Sequence, residues 1–484
     1  MSISVKVNYI LNIINTGTQV LLPLITFPYA SRILLAYGIG HVNFFTSIIS
    51  YISLATCIGI PMYAIREIAK VRDNAKQMNK TALEILLLHA GLTLIGYLIV
   101  ALLCLFVPKI KADVSLFLVL SLTIFFTAIG CEWFYQGIED FKYITIRGLI
   151  VKALSIVFLF AFVKTKNDII WYALFTVFGA LGGNLFNFFR LRKYFHKDNF
   201  VFKELQPLRH LKPALKIFTF TIVTSIYLQL NTILLGFFKG DQSVGYYTAA
   251  MKLNAALVSI SNGLSAVMMP RLSNLIATNK TDEFKQMAQK AYDFSFALAL
   301  PMSVGLIFVS PYAIRLLSGA TFAPSVLVSQ IMAFTIFFIP LSGVIGLQIL
   351  YPLGYMNKVV KCTLWGSLAD LVACVVLIPL FSYNGAALSY LIAEFVVTIS
   401  MFFVGKKLLP ITFFKKQHSI YVLASLLMAF VLLFEQSFKG NNIEMLLVMA
   451  ATGTLVYALV LLFAKDSLTI QFLALVKQKL LKKK

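Results

Sequence analysis

The chain has 484 residues, 60% hydrophobic and 13% charged, with mean hydropathy +0.86 and formal net charge +23. Soluble proteins are about one quarter charged and need a wettable exterior, so a water-soluble fold of this length is excluded. The five cysteines (Cys57, Cys104, Cys131, Cys362, Cys374) lie in apolar stretches with no CxxC pair or His cluster, which leaves them as packing residues and points to neither a metal site nor a disulfide framework.

The opening residues 1–9 lack a compact signal-peptide pattern, and the apolar stretch that follows is long enough to stay as a span. About 20 mostly apolar residues cross a bilayer, and this measure gives roughly fourteen candidate spans. The first six lie near 8–30, 42–64, 81–107, 114–136, 148–163 and 169–189. Six more lie near 214–238, 244–270, 291–310, 325–350, 361–380 and 384–404, with a final pair near 419–436 and 444–464. The expectation is an all-α integral membrane protein. Its parts are a six-helix bundle over 1–189, a basic linker over 190–213, a second six-helix bundle over 214–404, two additional spans over 405–464 and a basic tail over 465–484.

Lysine and arginine in alternate loops set the orientation. One set of loops holds Arg66, Lys70, Arg72, Lys76 and Lys80, then Arg190, Arg192, Lys193, Lys197, Lys203, Arg209 and Lys212. Arg271, Lys280, Lys285, Lys290, Lys406, Lys407, Lys415 and Lys416 follow on the same side, with the terminal Lys482, Lys483 and Lys484. The opposite loops carry only Arg32, Lys109, Lys111, Lys164, Lys166, Lys239, Arg315 and Lys439. Both termini are therefore expected in the cytoplasm. The net charge is mainly a topology signal, with attraction to anionic lipid second and no need of nucleic acid.

The two halves echo each other. Ile33-Leu34-Leu35-Ala36-Tyr37 leads to Gly38-Ile39-Gly40 and Phe44-Phe45, and Ile233-Leu234-Leu235-Gly236-Phe237 leads to Val244-Gly245 and Tyr246-Tyr247. The second span is expected to end at Pro61 and the eighth at Pro270-Arg271. Both copies point the same way, so a parallel repeat of two bundles around a central cavity is expected. Prolines 23, 28, 61, 301, 340 and 379 lie in or at the ends of spans, where they remove helix hydrogen bonds and permit bending.

A cation at mid-span costs roughly 2.5–3.5 kcal/mol on insertion scales, so it needs water, a partner or a route to the interface. Arg32, Arg66, Arg147, Lys152, Lys252 and Arg271 are the candidate cations for an anionic substrate, with Lys252 the deepest. Glu132, Asp370 and Glu394 are the candidate coupling or pairing acids, and His89 is expected to be packed inside its span. No GxxxxGK[ST] loop, metal cluster or cofactor motif is present, so energy is expected from an ion gradient, membrane potential or the substrate gradient. The opposite-side loops are too short for a catalytic domain, which counts against a membrane polymerase or acyltransferase.

Several runs together carry a resemblance. They are Phe27-Pro28-Tyr29-Ala30-Ser31-Arg32-Ile33-Leu34, Gly59-Ile60-Pro61-Met62-Tyr63-Ala64-Ile65-Arg66-Glu67, and Trp133-Phe134-Tyr135-Gln136-Gly137-Ile138-Glu139-Asp140-Phe141 with Arg147. Val244-Gly245-Tyr246-Tyr247 with Lys252, Pro270-Arg271-Leu272-Ser273, and Ile378-Pro379 before Asn384-Gly385-Ala386-Ala387 and Glu394 continue it. In order and spacing they resemble the bacterial polysaccharide and O-antigen repeat-unit flippases of the multidrug/oligosaccharidyl-lipid/polysaccharide (MOP) superfamily. Two positions depart from the pattern. Asn231 stands where relatives often carry aspartate, and Asp370 where asparagine is usual.

The resemblance implies a MATE-like fold and a substrate, an undecaprenyl-diphosphate-linked oligosaccharide. This would move from inner to outer leaflet of the bacterial cytoplasmic membrane by alternating access, with polysaccharide polymerase machinery as a partner. The alternatives on the same fold are a cation-coupled multidrug exporter and a peptidoglycan-precursor flippase.

Overall fold

The computed structural model describes residues 5–195, 204–408, 411–438, 440–466 and 469–470. Lys197, Lys203, Lys439 and most of the basic tail, including Lys482, Lys483 and Lys484, lie outside the described residues. The chain divides into two compact units, Met1–Gly245 and Tyr246–Lys484. That division falls beyond the 190–213 linker at which the sequence expectation drew it.

The first unit opens with α1 (Val5–Cys57), which holds the first two expected spans in one run broken at Leu35 (φ 59°, ψ −176°). Only glycine adopts that geometry freely, so a side chain there stores about 1–3 kcal/mol. The second helical stretch stops at Cys57, short of the expected Pro61. Ile58 (φ 38°) and Gly59 (φ 68°) turn left-handed, and Pro61 instead sits in the first turn of α2 (Ile60–Val71). Proline suits that turn because its missing N–H would have no helical partner anyway.

The chain continues through α3 (Ala75–Phe106), α4 (Pro108–Lys111), α5 (Val114–Ile129) and α6 (Glu132–Gly137). It then forms α7 (Phe141–Phe162), α8 (Ile169–Leu181), α9 (Gly183–Leu191) and α10 (Leu211–Lys239). Asn74, Asp113 and Asp140 accept from the amides of Gln77, Leu116 and Tyr143, capping α3, α5 and α7. Cys131 (φ 45°) separates α5 from α6, and α8 meets α9 at 45°.

The Trp133-Phe134-Tyr135 run is packing. Phe134 and Tyr135 are fully buried against Ile60, Ala64 and Ile68 of α2 and Ala82 and Ile85 of α3. Gly137 permits this, since a Cβ there would meet the Ile68 side chain at 2.7 Å. The echoed segments also touch within this unit. A Cβ on Gly40 would lie 1.7 Å from Asp241 O, and one on Gly245 would lie 1.9 Å from Ala36 O. α1 and α11 (Asp241–Ala277) therefore meet there backbone to backbone.

The second unit takes the rest of α11, then α12 (Thr281–Ser318), α13 (Ser325–Ala333), α14 (Thr335–Gly343) and a π-helical turn Val344–Leu350. α15 (Met356–Leu408), α16 (Lys416–Glu435) and α17 (Asn442–Phe463) complete it. Pro270 lies inside α11, so the eighth span runs past Pro270-Arg271 instead of ending there. α15 combines two expected spans across a break at Ser382 (φ 53°, ψ −130°). The chain folds back so closely there that a Cβ on Gly385 would lie 2.1 Å from Leu377 O.

Nine helical segments of the described residues, or ten counting the bent α8–α9 pair, are long and apolar enough to cross a membrane. Their outward faces would be untenable in water. On α3, Leu94, Leu98, Leu102 and Leu105 form an exposed apolar stripe at helical spacing, and Leu423, Leu426, Phe430 and Leu433 do so on α16. The protein is a multi-span, all-α membrane protein.

Candidate functional site

Four expected cations belong to the first unit. Arg32 is exposed just before the Leu35 break, and its Nη1 donates to Pro28 O at 2.6 Å. Arg66 is exposed on α2, pairs with its neighbour Glu67 at 3.1 Å and lies 5.8 Å from the Tyr63 ring centre. Arg147, on α7, lies 3.4 Å from Glu132 of α6. The Lys152 ammonium, about one turn further along α7, donates to Thr18 Oγ1 of α1 at 2.6 Å. Glu132, Arg147 and Lys152 are thus gathered on adjoining helices, while Arg32 and Arg66 contact Pro28 and Glu67.

In the second unit Lys252 and Arg271 are both exposed on α11, and neither makes a hydrogen bond or ion pair with the described residues. Asp370 and Glu394 are buried on the two halves of α15, 0% and 3% exposed. These halves press together at Gly366, whose Cβ would meet Val397 at 2.2 Å and Ala393 O at 3.0 Å. Asp370 lies one turn beyond Gly366, and Glu394 follows Ala393, so both acids lie near this tight contact. Cys374 Sγ lies 3.8 Å from Asp370. His89 is packed, 1% exposed, with its Nε2 3.8 Å from Cys57 Sγ.

Three polar clusters were not anticipated from the sequence. In the first, His41 Nδ1 lies 2.6 Å from Asp241 and its Nε2 3.1 Å from Asp113. Both ring nitrogens face carboxylates, and the imidazolium, with two donors, satisfies both. Lys109 reaches the other Asp241 oxygen at 2.6 Å and sits 4.0 Å over the Phe44 ring. Burial alone would raise the Asp113 carboxyl, but the Ser115 hydroxyl, the Leu116 amide and His41 together hold it below its ordinary range.

In the second, Glu84 is fully buried on α3 and accepts from Gln206 N, Arg209 and His210, while the Tyr63 hydroxyl meets His210 Nδ1 at 2.7 Å. Burial pushes the His210 imidazole below its ordinary value, with Glu84 opposing and Arg209 assisting. In the third, Asp293 of α12 binds Lys415 at 2.7 Å and His418 at 3.0 Å. The available signal was a histidine or lysine just outside an apolar stretch. Its carboxylate partner lies 125 residues away for His418 and 200 for His41, and a single sequence does not join such positions.

The polysaccharide biosynthesis protein family model matches residues 5–276, and the MatE model matches 216–376. The chain is 26% identical to the "Putative O-antigen transporter" of Shigella dysenteriae over 400 residues, covering 82% of this chain and 98% of that one. It is 25% identical to the protein of the same name in Escherichia coli K12, covering 84% and 98%. The lipid II flippase MurJ in its inward closed conformation superposes with TM-score 0.76 at 18% identity, covering 95% of this chain and 99% of that one. An inward-facing MATE multidrug resistance transporter of the MOP superfamily superposes with TM-score 0.65 at 13% identity, covering 80% and 94%. With more than half its length matched by that one family model, the chain belongs to the polysaccharide biosynthesis protein family, and its fold is that of the MurJ and MATE structures.

Proposed function

We propose that this protein is a flippase that carries a lipid-linked oligosaccharide repeat unit across the cytoplasmic membrane for surface polysaccharide assembly. The observation that carries the reading is its similarity to O-antigen transporters along 98% of their length. Physical need agrees. Sugars and a diphosphate do not cross hydrocarbon unaided, and a protein that moves them must replace their water with polar groups while leaving the lipid tail in the bilayer. The carrier in this reading is undecaprenyl diphosphate, moved from inner to outer leaflet by alternating access, with both termini in the cytoplasm and polymerase machinery receiving the product.

Among the expected cations, Lys252 and Arg271 best support diphosphate binding, because both are exposed and unengaged by described residues. Arg32 and Arg66 are the exposed candidate cations of the first unit. Asp370 and Glu394, buried on α15, are the candidate coupling acids.

The test is deletion of the gene in its own host. Surface polysaccharide should be lost while intact lipid-linked repeat units accumulate facing the cytoplasm, and the wild-type gene should restore export. Lys252→Ala should lower restored glycan at least about tenfold, the cost of roughly one charged hydrogen bond to phosphate. Unchanged glycan on deletion, with no paralogue present, sinks the reading.

The MatE match over 216–376 favours a second reading, a cation-coupled drug exporter. Export of cationic dyes that survives neutralisation of Lys252 and Arg32, with glycan unaffected, would select it. Arrest of cell-wall synthesis instead of surface glycan would select a peptidoglycan-precursor flippase.

A further inference from the structure

The first unit carries a groove of about 770 Å³ between α7 and α9, within the roughly 300–1,000 Å³ common for ligand sites. Its floor is apolar and open outward: Ile150, Phe186 and Phe189 are 55%, 50% and 52% exposed. Its polar end is built from Lys142, Arg147 and Arg190. The Arg147 side chain is 10% exposed, yet its Nε and Nη1 are buried without hydrogen-bond partners among the described residues. A buried guanidinium with two idle donors is costly unless an acceptor fills the space. The seat is specific, because Gly183 is what admits the guanidinium: a Cβ there would lie 3.0 Å from Arg147 Cζ.

We propose that this groove holds a resident anionic glycerophospholipid, its phosphodiester on Arg147 and Lys142 and its acyl chain along Ile146, Ile150 and Phe189. Charge selects the headgroup. Lys142, Arg147 and Arg190 face two carboxylates, Glu132 at 3.4 Å from Arg147 and Asp140 at 2.8 Å from Arg190. Lys152 stands near both Glu132 and Arg147, so the cations outnumber the carboxylates and favour an anionic headgroup, while the outward-open apolar floor gives the acyl chain its place in the bilayer. Arg190 is further committed by stacking 3.7 Å over the Tyr143 ring, so it orders the rim while Arg147 carries the unpartnered donors. The site removes Arg147 from the cations expected to meet the cargo, and its occupancy is separate from the transport reading.

Native mass spectrometry of delipidated full-length protein, titrated with phosphatidylglycerol or phosphatidylcholine, tests the assignment. Wild type should retain one phosphatidylglycerol with at least about tenfold preference, and Arg147→Gln should abolish the preference. Gly183→Val should abolish it too, although the arginine is still present, whereas Lys212→Gln should retain it. Photoactivatable phosphatidylglycerol should cross-link wild type within 146–151 and 186–190, a readout that needs no variant to fold. Equal retention of the two lipids, preference surviving Arg147→Gln, or cross-links only elsewhere overturns the proposal. Displacement of the lipid by polyprenyl diphosphate at equal concentration also overturns it and gives the groove to the cargo. The glycan phenotype of the deletion is independent of all these outcomes.

Discussion

At the scale of single residues, the His41 cluster makes a clear claim about pH. Asp113 and Asp241 are both held below the ordinary carboxylate value of 3.8, although burial alone would raise each. For Asp113 the opposing groups are Ser115, the Leu116 amide and His41; for Asp241 they are His41 and Lys109. A depressed carboxyl adds stability that is fully present above its unfolded value and disappears as pH falls through the lower folded value. Thermal unfolding of the purified protein should therefore drop below pH 3.8, and Asp113→Asn should flatten that part of the profile. A profile unchanged by Asp113→Asn would show that the cluster adds nothing. The glycine contact next to it is sterically stricter. At Gly40 and Gly245 a methyl group would collide with backbone, which has no rotamer by which to retreat. Gly40→Ala should destabilise by about 1–3 kcal/mol and depress glycan export, whereas Gly17→Ala, whose Cβ would meet nothing within 4 Å among the described residues, should do neither.

At the scale of elements, every expected apolar stretch is helical, because length and hydropathy determine that much. The ends of the helices were less legible. Pro61 and Pro270 both looked like terminators, yet one opens a helix and the other lies inside one. The difference rests on Ile58 and Gly59, whose left-handed geometry ends α1 before Pro61, a feature of backbone conformation that residue type alone does not specify. Candidate cations were found because charge in an apolar run is conspicuous. Glu132, 15 residues from Arg147, was visible for the same reason, whereas Glu84 and Asp293 were hidden because they lie 126 and 122 residues from His210 and Lys415. The Leu35 break is an opportunity for stabilisation. Leu35 is 39% exposed and gives up little packing if truncated, while glycine adopts its backbone geometry freely. Leu35→Gly should raise stability by about 1 kcal/mol in thermal unfolding of the solubilised protein, after glycine's own entropy cost. A fall in melting temperature would mean that the Leu35 side chain contributes more than its strain costs.

At the scale of the whole molecule, the charges decide which way the protein sits, and direction of transport depends on that. Within the first unit the paired cations fall into two kinds of setting. Arg72 with Glu139, Lys80 with Glu204, Arg190 with Asp140 and Arg209 with Glu84 tie the basic loops and linker to one another, to α3 and to α9. Lys109 with Asp241, beside His41 and Asp113, joins loops from the cation-poor set. In the second unit Lys280 with Glu283, Lys285 with Asp282 and Lys415 with Asp293 repeat the first pattern. Under the positive-inside rule the first kind faces the cytoplasm. A cysteine introduced at Thr165, between α7 and α8, should react with a membrane-impermeant maleimide in intact cells. One introduced at Asn279, between α11 and α12, should react only after permeabilisation. A fluorescent reporter fused to the C-terminus should mature on the cytoplasmic side. The reverse labelling pattern would put the basic face outside, and the cations would then meet the cargo on the side where it is released, which is incompatible with inner-to-outer transport driven by their attraction for phosphate.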